Sequence, residues 1–289
     1  MHTQAPGSRP DPSTSSFLAP ARPDKERREC GSHVSQPHRE PRSSALLQPL
    51  DRMDRYARVR MVPSLLVTRS PLLARHQLLG CSTAYMEDQR GQWRELVAQA
   101  AAVSSLAVEL SAISESELPG LLGYLREDPQ LPFRYVSVHA PSKGRELPEA
   151  ELVDVLAQLP LWVDAVVMHP DTIDDVGLFG RLGRRLVLEN MDARKTGGRN
   201  AQELASFFDV LPDAGLCFDI AHARSIDASM DVGEAIIVQF AERLRHVHLS
   251  SLDADSHHVP LSLGDEELFS PLLERCRDVP WILEAPPAR

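Results

Sequence analysis

The sequence predicts an α/β protein built as one (β/α)8 barrel behind a disordered N-terminal tail, and three observations predict it. The chain has 289 residues, 43% of them hydrophobic, which suffices for one large core. From about residue 76 short β-rich apolar runs alternate with helical patterns. The β-rich runs number eight, as a closed parallel barrel buried on both faces requires.

Residues 1–62 stand apart, with eight prolines, many serines and arginines and no sustained apolar period. Such a composition cannot bury enough surface to overcome the entropy of ordering. It reads as a disordered tail or as the product of a start codon placed too early, since Met53 and Met61 both stand just ahead of the first convincing apolar run. The barrel is then residues 63–289. Charge divides at the same boundary. The net value of −10 conceals 11 Lys/Arg against 7 Asp/Glu in residues 1–62, and 20 against 34 in the remainder. An acidic body suits bound cations and disfavours a polyanionic partner, so nucleic acid becomes the weaker expectation.

The first strand is expected at residues 78–85, after which Trp93, Leu96, Val97, Ala100 and Ala101 recur at helical spacing. Residues 106–110 form the second strand. The Ser-Glu-Ser-Glu segment at 114–117 opens the next helix with side chains suited to capping and to the positive end of the helix dipole. The third strand is 135–139, followed by a helix around 150–158. Strands four, five and six fall at 165–169, 186–189 and 216–219, with a helix at 201–208 opening after Asn200. The seventh strand is 244–249, the eighth 281–284, and 266–276 is the helix between them. A doubly wound open sheet is the alternative, but no Gly-x-Gly-x-x-Gly turn follows the first strand.

The longest apolar stretches fall far short of the ~20 residues a membrane helix needs. The N-terminus offers His2, Gln4, Pro6 and Gly7 where a secretory signal needs a basic start and an apolar run. Cys30, Cys81, Cys217 and Cys276 are scattered without a C-x-x-C pair, so neither a disulfide framework nor a zinc knuckle is indicated. Reduced thiols in a cytoplasmic protein are the simpler reading, with Cys217 a packed residue of strand six.

The informative pattern lies at the strand ends. At or just beyond strands three to eight stand His139, His169, Glu189, Asp219 with His222, His248 and Glu284. Parallel strands deliver their C-termini to one rim, so these side chains converge although the chain separates them widely. Singly, each reads most simply as a hydrogen-bonded rim group; together they read as a metal site. Imidazole and carboxylate without thiolate suit manganese, zinc, cobalt, iron or magnesium, and a bound cation removes the heavy cost of several buried carboxylates. His246 and His248 share a face, and His248, nearer the strand end, is the preferred ligand. The next loop adds Asp255, His257 and His258. Asp192, Lys195, Arg199 and Arg224 read as rim charge, within reach of an anionic substrate.

These motifs resemble the xylose isomerase-like TIM barrel superfamily. It includes sugar and sugar-phosphate isomerases and epimerases, inositol-pathway enzymes and the endonuclease IV group of abasic-site endonucleases, AP endonuclease family 2. The resemblance covers residues 76–289. It implies that Glu189, Asp219, His248 and Glu284 are the four ligands of a single divalent ion, as in the isomerases and epimerases. His222 matches the Asp-x-x-His motif, and His139 and His169 match histidines of the endonuclease zinc cluster. Asp255 and His257 match the Asp-x-His that with His222 holds a third zinc. His258-Val-Pro-Leu also resembles the His-x-Pro-Leu-Gly segment of that loop, which leaves His257 and His258 as alternatives. Where the endonucleases carry a Tyr-containing, Asn-rich segment after strand three, this chain reads Ser142-Lys143-Gly144-Arg145-Glu146.

The resemblance implies, first, a metal-dependent isomerase or epimerase acting on a small polyhydroxylated substrate, a sugar, sugar phosphate or polyol. Glu189 and Glu284 exchange protons with the substrate carbon through an enediolate. The alternative is a zinc-dependent phosphodiesterase holding up to three ions, and a third is a barrel that binds a sugar or metal without catalysis.

Overall fold

The computed structural model describes residues 70–287. The expected N-terminal tail lies outside them. In chain order the elements are α1 (Pro71–Arg75), β1 (Leu79–Ser82), α2 (Trp93–Val103), β2 (Ala107–Ser111), α3 (Leu118–Arg126), β3 (Tyr135–His139) and α4 (Glu149–Ala157). They continue as β4 (Ala165–Met168), α5 (Val176–Phe179), β5 (Leu186–Glu189), α6 (Ala201–Val210), β6 (Gly215–Asp219), α7 (Ile220–Ile226) and α8 (Asp231–Phe240). The last are β7 (Leu244–Leu249), β8 (Ser251–Leu252), β9 (His258–Val259), α9 (Leu263–Leu273) and β10 (Trp281–Leu283). Strands β1 to β7 and β10 close a parallel barrel in which β10 joins β7 to β1, and β8 and β9 pair separately as an antiparallel hairpin. The expected eight-stranded barrel is the fold.

Period-two alternation sorts every barrel strand into two faces. In β3, Val136 and Val138 enter the core between sheet and helices, while Tyr135 lies in a separate cluster inside the barrel with Ala107, Ala165, Val167, Val187, Cys217 and Ile282. Ser137 and His139 share the inward parity of Tyr135. The same alternation in β2 sends Val108 and Leu110 outward and leaves Glu109 inward, 0% exposed. The lumen is therefore apolar in its lower part and polar toward the C-terminal mouth.

Local chemistry sets the element ends. The Ser-Glu-Ser-Glu segment forms a capping box between Ser114 and Glu117 and leads through a short 3-10 turn into α3. Asn200 caps α6 by accepting from the Glu203 amide, and Asp219 caps α7 by accepting from the His222 amide. The first strand is shorter than expected. The Thr83 amide donates to Glu109 O while its hydroxyl oxygen accepts from the Ser111 amide, and the chain then turns away. The last helix starts earlier than expected because Ser262 caps it. The β8–β9 hairpin was not anticipated, since two-residue strands leave no periodic signal.

Candidate metal centre

Six barrel elements place their polar groups at the mouth. His139 ends β3, His169 follows β4, Glu189 ends β5, Asp219 ends β6, His248 stands in β7 opposite Asp219, and Glu284 follows β10. One donor atom from each of Glu189, Asp219, His248 and Glu284 falls within 4.8 Å of the others, and all four residues are buried. His139, His169 and Glu189 make a second such group, and Asp219, His222 and His258 a third. The groups share Glu189 and Asp219, so the whole forms one continuous polar floor.

The side chains are held from behind. Asn190 clamps Asp219 at both backbone groups, accepting from its amide on Oδ1 and donating to its carbonyl from Nδ2, each at 2.8 Å. Asp219 Oδ1 accepts from the His222 amide at 2.6 Å, which leaves Oδ2 without a hydrogen-bond partner. His139 Nδ1 donates to Ala140 O at 2.8 Å and His222 Nδ1 to Asn190 O at 2.9 Å. The Nε2 of His139 consequently faces Nε2 of His169 at 3.0 Å and Glu189 Oε2 at 3.3 Å.

Whether a cation fits is tested by the donors themselves. Glu189 Oε2, Asp219 Oδ2, His248 Nδ1 and Glu284 Oε2 are all buried without a hydrogen-bond partner. Each such atom costs about 1–3 kcal/mol if nothing satisfies it. Donors of a four-coordinate ion with bonds of about 2.0–2.2 Å lie roughly 3.3–3.6 Å apart. His248 Nδ1 is 3.2 Å from Glu284 Oε1 and 3.5 Å from Glu189 Oε2, and His169 Nε2 is 3.3 Å from Glu189 Oε2. The donor types suit a hard or borderline divalent ion, as do the spacings of His248 to Glu284 and to Glu189.

Electrostatics separates the two glutamates. Burial pushes the Glu284 carboxyl well above the usual range, opposed by His248 and reinforced by Asp219 and Glu189. Burial acts on Glu189 in the same direction, but His248 and His169 outweigh it and hold this carboxyl well below the usual range. His222 is raised to about 10: burial disfavours its charge, and Asp219 and Glu189 more than reverse that. His246 is lowered to about 3 by burial and by the neighbouring charge of His248.

The loop after β7 places the two neighbouring histidines in different surroundings. Asp253, Asp255 and His257 form an exposed cluster of their own, with the His257 amide donating to Asp253 Oδ1 at 2.8 Å. That contact turns His257 outward, its side chain 74% exposed. His258 lies on β9, where Nδ1 meets Ser250 Oγ at 2.8 Å and Glu284 Oε2 at 3.3 Å. So His258 joins Asp219 and His222, while Asp255 and His257 stay outside. The rim charges are mostly paired: Lys195 with Asp171 at 2.8 Å, Arg199 with Glu203 at 2.7 Å, and Asp192, itself buried, with Arg194 at 2.9 Å. Arg145 is tied to Glu115 at 2.9 Å.

Sequence reasoning missed Asn190 and Glu109. Asn190 directly follows a strand-end carboxylate. Glu109 is a charged residue at the centre of an apolar strand, Ala-Val-Glu-Leu-Ser, and that anomaly was its signal.

The chain thus forms a closed barrel whose mouth gathers carboxylates and imidazoles. Residues 175–289 match the family described as the xylose isomerase-like TIM barrel. The match spans Glu189, Asp219, His222, His248, His258 and Glu284, so the resemblance drawn from these motifs holds there. Among solved structures the chain is similar to a xylose isomerase domain protein from Planctomyces limnophilus, at 15% identity and TM-score 0.42, covering 71% of this chain and 89% of that one. It is also similar to the apo form of 3-keto-D-glucoside 4-epimerase from E. coli, at 12% and 0.45, covering 73% and 93%. AP endonuclease, family 2 from Brucella melitensis gives 15% and 0.46, covering 73% and 93%. No curated protein matches. Among the described residues no helix is long and apolar enough to cross a membrane.

Proposed function

We propose that the protein is a metal-dependent isomerase or epimerase of a small polyhydroxylated substrate. The observation that carries this reading is the pair Glu189 and Glu284, brought together with Asp219 and His248 so that one donor atom from each lies within 4.8 Å of the others. Two carboxyls that face one point can divide proton removal and proton return between them. Glu189, Asp219, His248 and Glu284 would hold the ion, which when bound would polarise a substrate carbonyl and stabilise the negative charge that develops on it. Glu189, kept as carboxylate, takes the proton from the carbon beside that carbonyl. The proton returned to the same or the neighbouring carbon passes from water by way of Glu284, and exchange with water restores both groups.

A second reading, phosphoester hydrolysis by a cluster of several ions, is favoured by the two adjoining groups built on His139 with His169 and on His222 with His258. Extended DNA is its weaker substrate. The 142–146 segment is tied down, since Glu115 Oε2 accepts from the amides of Glu146 and Leu147 at 2.6 and 2.7 Å.

Incubating metal-loaded protein with ketoses, aldoses, polyols and sugar phosphates in D2O tests the proposal. Deuterium entering a carbon-bound position, detected by NMR, is the expected result. No exchange across the panel, together with chelator-sensitive incision of abasic-site DNA or cleavage of a phosphodiester, transfers the assignment to hydrolysis.

A further inference from the structure

A second polar layer lies inside the barrel just below the mouth, and the chemistry above does not use it. Its centre is Glu109, in the middle of β2 and fully buried. Glu109 Oε2 accepts from Ser137 Oγ at 2.9 Å and reaches across the lumen to within 3.2 Å of His248 Nε2. A carboxylate can only accept, so the Nε2 of His248 carries a hydrogen and donates it there. Nδ1 is the ring nitrogen turned to the mouth. It faces Glu284 Oε1 and Glu189 Oε2 at 3.2 and 3.5 Å and has no hydrogen-bond partner.

The register explains why a carboxylate is needed. His139 and His222 stand at or beyond the ends of the ladder, where the carbonyls of Ala140 and Asn190 take their second ring nitrogens. His248 lies within the ladder, paired with Asp219 on one side and Ile282 on the other. Backbone carbonyls there are committed to neighbouring strands and point along the sheet. An acceptor for a lumen-facing imidazole must come from a side chain across the barrel. His246, one layer lower, meets the same constraint and finds Tyr135 Oη at 2.7 Å through Nδ1. Nature of the partner is what differs: a phenol below, a charged acceptor at the mouth. Burying an isolated carboxylate costs several kcal/mol, which a merely structural hydrogen bond does not require.

We propose that Glu109 is a positioning residue of the metal centre: it fixes His248 in the tautomer that presents Nδ1 to a divalent ion and makes that nitrogen a stronger donor. Carboxylate–histidine–metal chains act in this way. The inference rests on the reading of the mouth as a metal centre and deepens it.

The test is zinc or manganese affinity, read by competition with a chromophoric chelator, for the full-length protein and for Glu109→Gln. The amide fills the same space but can present an N–H to His248 and favour the wrong tautomer. Affinity should fall roughly 10- to 100-fold while circular dichroism shows the same fold. Unchanged affinity in the folded variant overturns the proposal. A second measurement needs no variant: in the cadmium-113 form of protein labelled with 15N-histidine, the cadmium should couple to Nδ1 of His248, with a proton on Nε2. Coupling to Nε2 overturns the role of Glu109 and leaves the metal centre standing. Failure of the unaltered protein to bind any divalent ion removes the metal centre itself, and Glu109's role with it.

Discussion

His139 and His169 meet Nε2 to Nε2 at 3.0 Å, from adjacent strands, with Glu189 Oε2 3.3 Å from each. One hydrogen shared between two imidazoles accounts for the short separation without a second ion, and a carboxylate beside the pair stabilises its positive form. In the isomerase reading this pair assists Glu189 and does not carry the reactive ion. His169→Gln should therefore leave the metal content of the purified protein at its original value, and deuterium exchange into substrate should persist at reduced rate. Loss of an ion together with all turnover marks the pair as ligands and favours hydrolysis.

The proposed reaction gives Glu189 and Glu284 different roles, removal and return of the proton, and their isosteric amides should differ accordingly. Glu189→Gln should lower turnover by about 10²–10⁴, the usual contribution of a general base. Glu284→Gln should keep exchange of the substrate proton, because Glu189 still removes it, while losing conversion to product. NMR of the reaction in D2O separates exchange from conversion in one experiment. Near-full conversion by Glu189→Gln, with metal content unchanged, takes that residue out of the mechanism.

Proton and metal draw on the same carboxylates, Asp219 and Glu189, and this fixes the sign of the pH dependence. His222 in the metal-free site is raised from 6.5 to about 10 by Asp219 and Glu189 against burial. Its proton stabilises the metal-free fold fully below about pH 6.5, and that contribution is lost as pH rises through about 10. A cation held by Asp219 and Glu189 would cancel the attraction that keeps this proton, so the loaded form should have the opposite slope, losing stability as pH falls. Thermal melts across pH with and without chelator should show the two trends. Calorimetric metal titrations in buffers of different ionisation heat should show proton release near pH 7. Parallel melting profiles, with no proton release, sink this account.

The barrel and the convergence of its mouth were legible because both follow from register. Runs such as Tyr-Val-Ser-Val-His are buried on both faces, and the last inward residue of each parallel strand reaches the same rim. What the strands did not encode was harder. His257 and His258 differ by one position, and only a hairpin of two-residue strands turns one inward and the other to solvent. The resemblance leaves His257 and His258 as alternatives because spacing along a loop carries no information on its turn. Glu109 escaped notice for another reason. Attention to strand ends passes over a charge in mid-strand, although an Ala-Val-Glu-Leu-Ser strand buried throughout declares one.

Arg145 tests whether the loop after β3 serves folding or substrate. Its Nε donates to Glu115 Oε1 at 2.9 Å and Nη1 donates to Thr172 O at 2.9 Å, and its side chain is only 19% exposed. Glu115, 7% exposed, also accepts the amides of Glu146 and Leu147 and so pins the start of the segment that leads to α4. A residue with these commitments has no free fork for a phosphate. Removing one partner strands the other's charge, an effect of about 3–5 kcal/mol when the pair is deeply buried and smaller where water reaches the guanidinium. Arg145→Ala and Glu115→Gln should each lower the midpoint of denaturant unfolding, and together lower it by less than the sum, as expected for partners in one network. Steady-state KM for any substrate found should be nearly unchanged in Arg145→Ala. Additive losses of stability, or a large rise in KM with stability intact, would reassign this arginine to substrate binding.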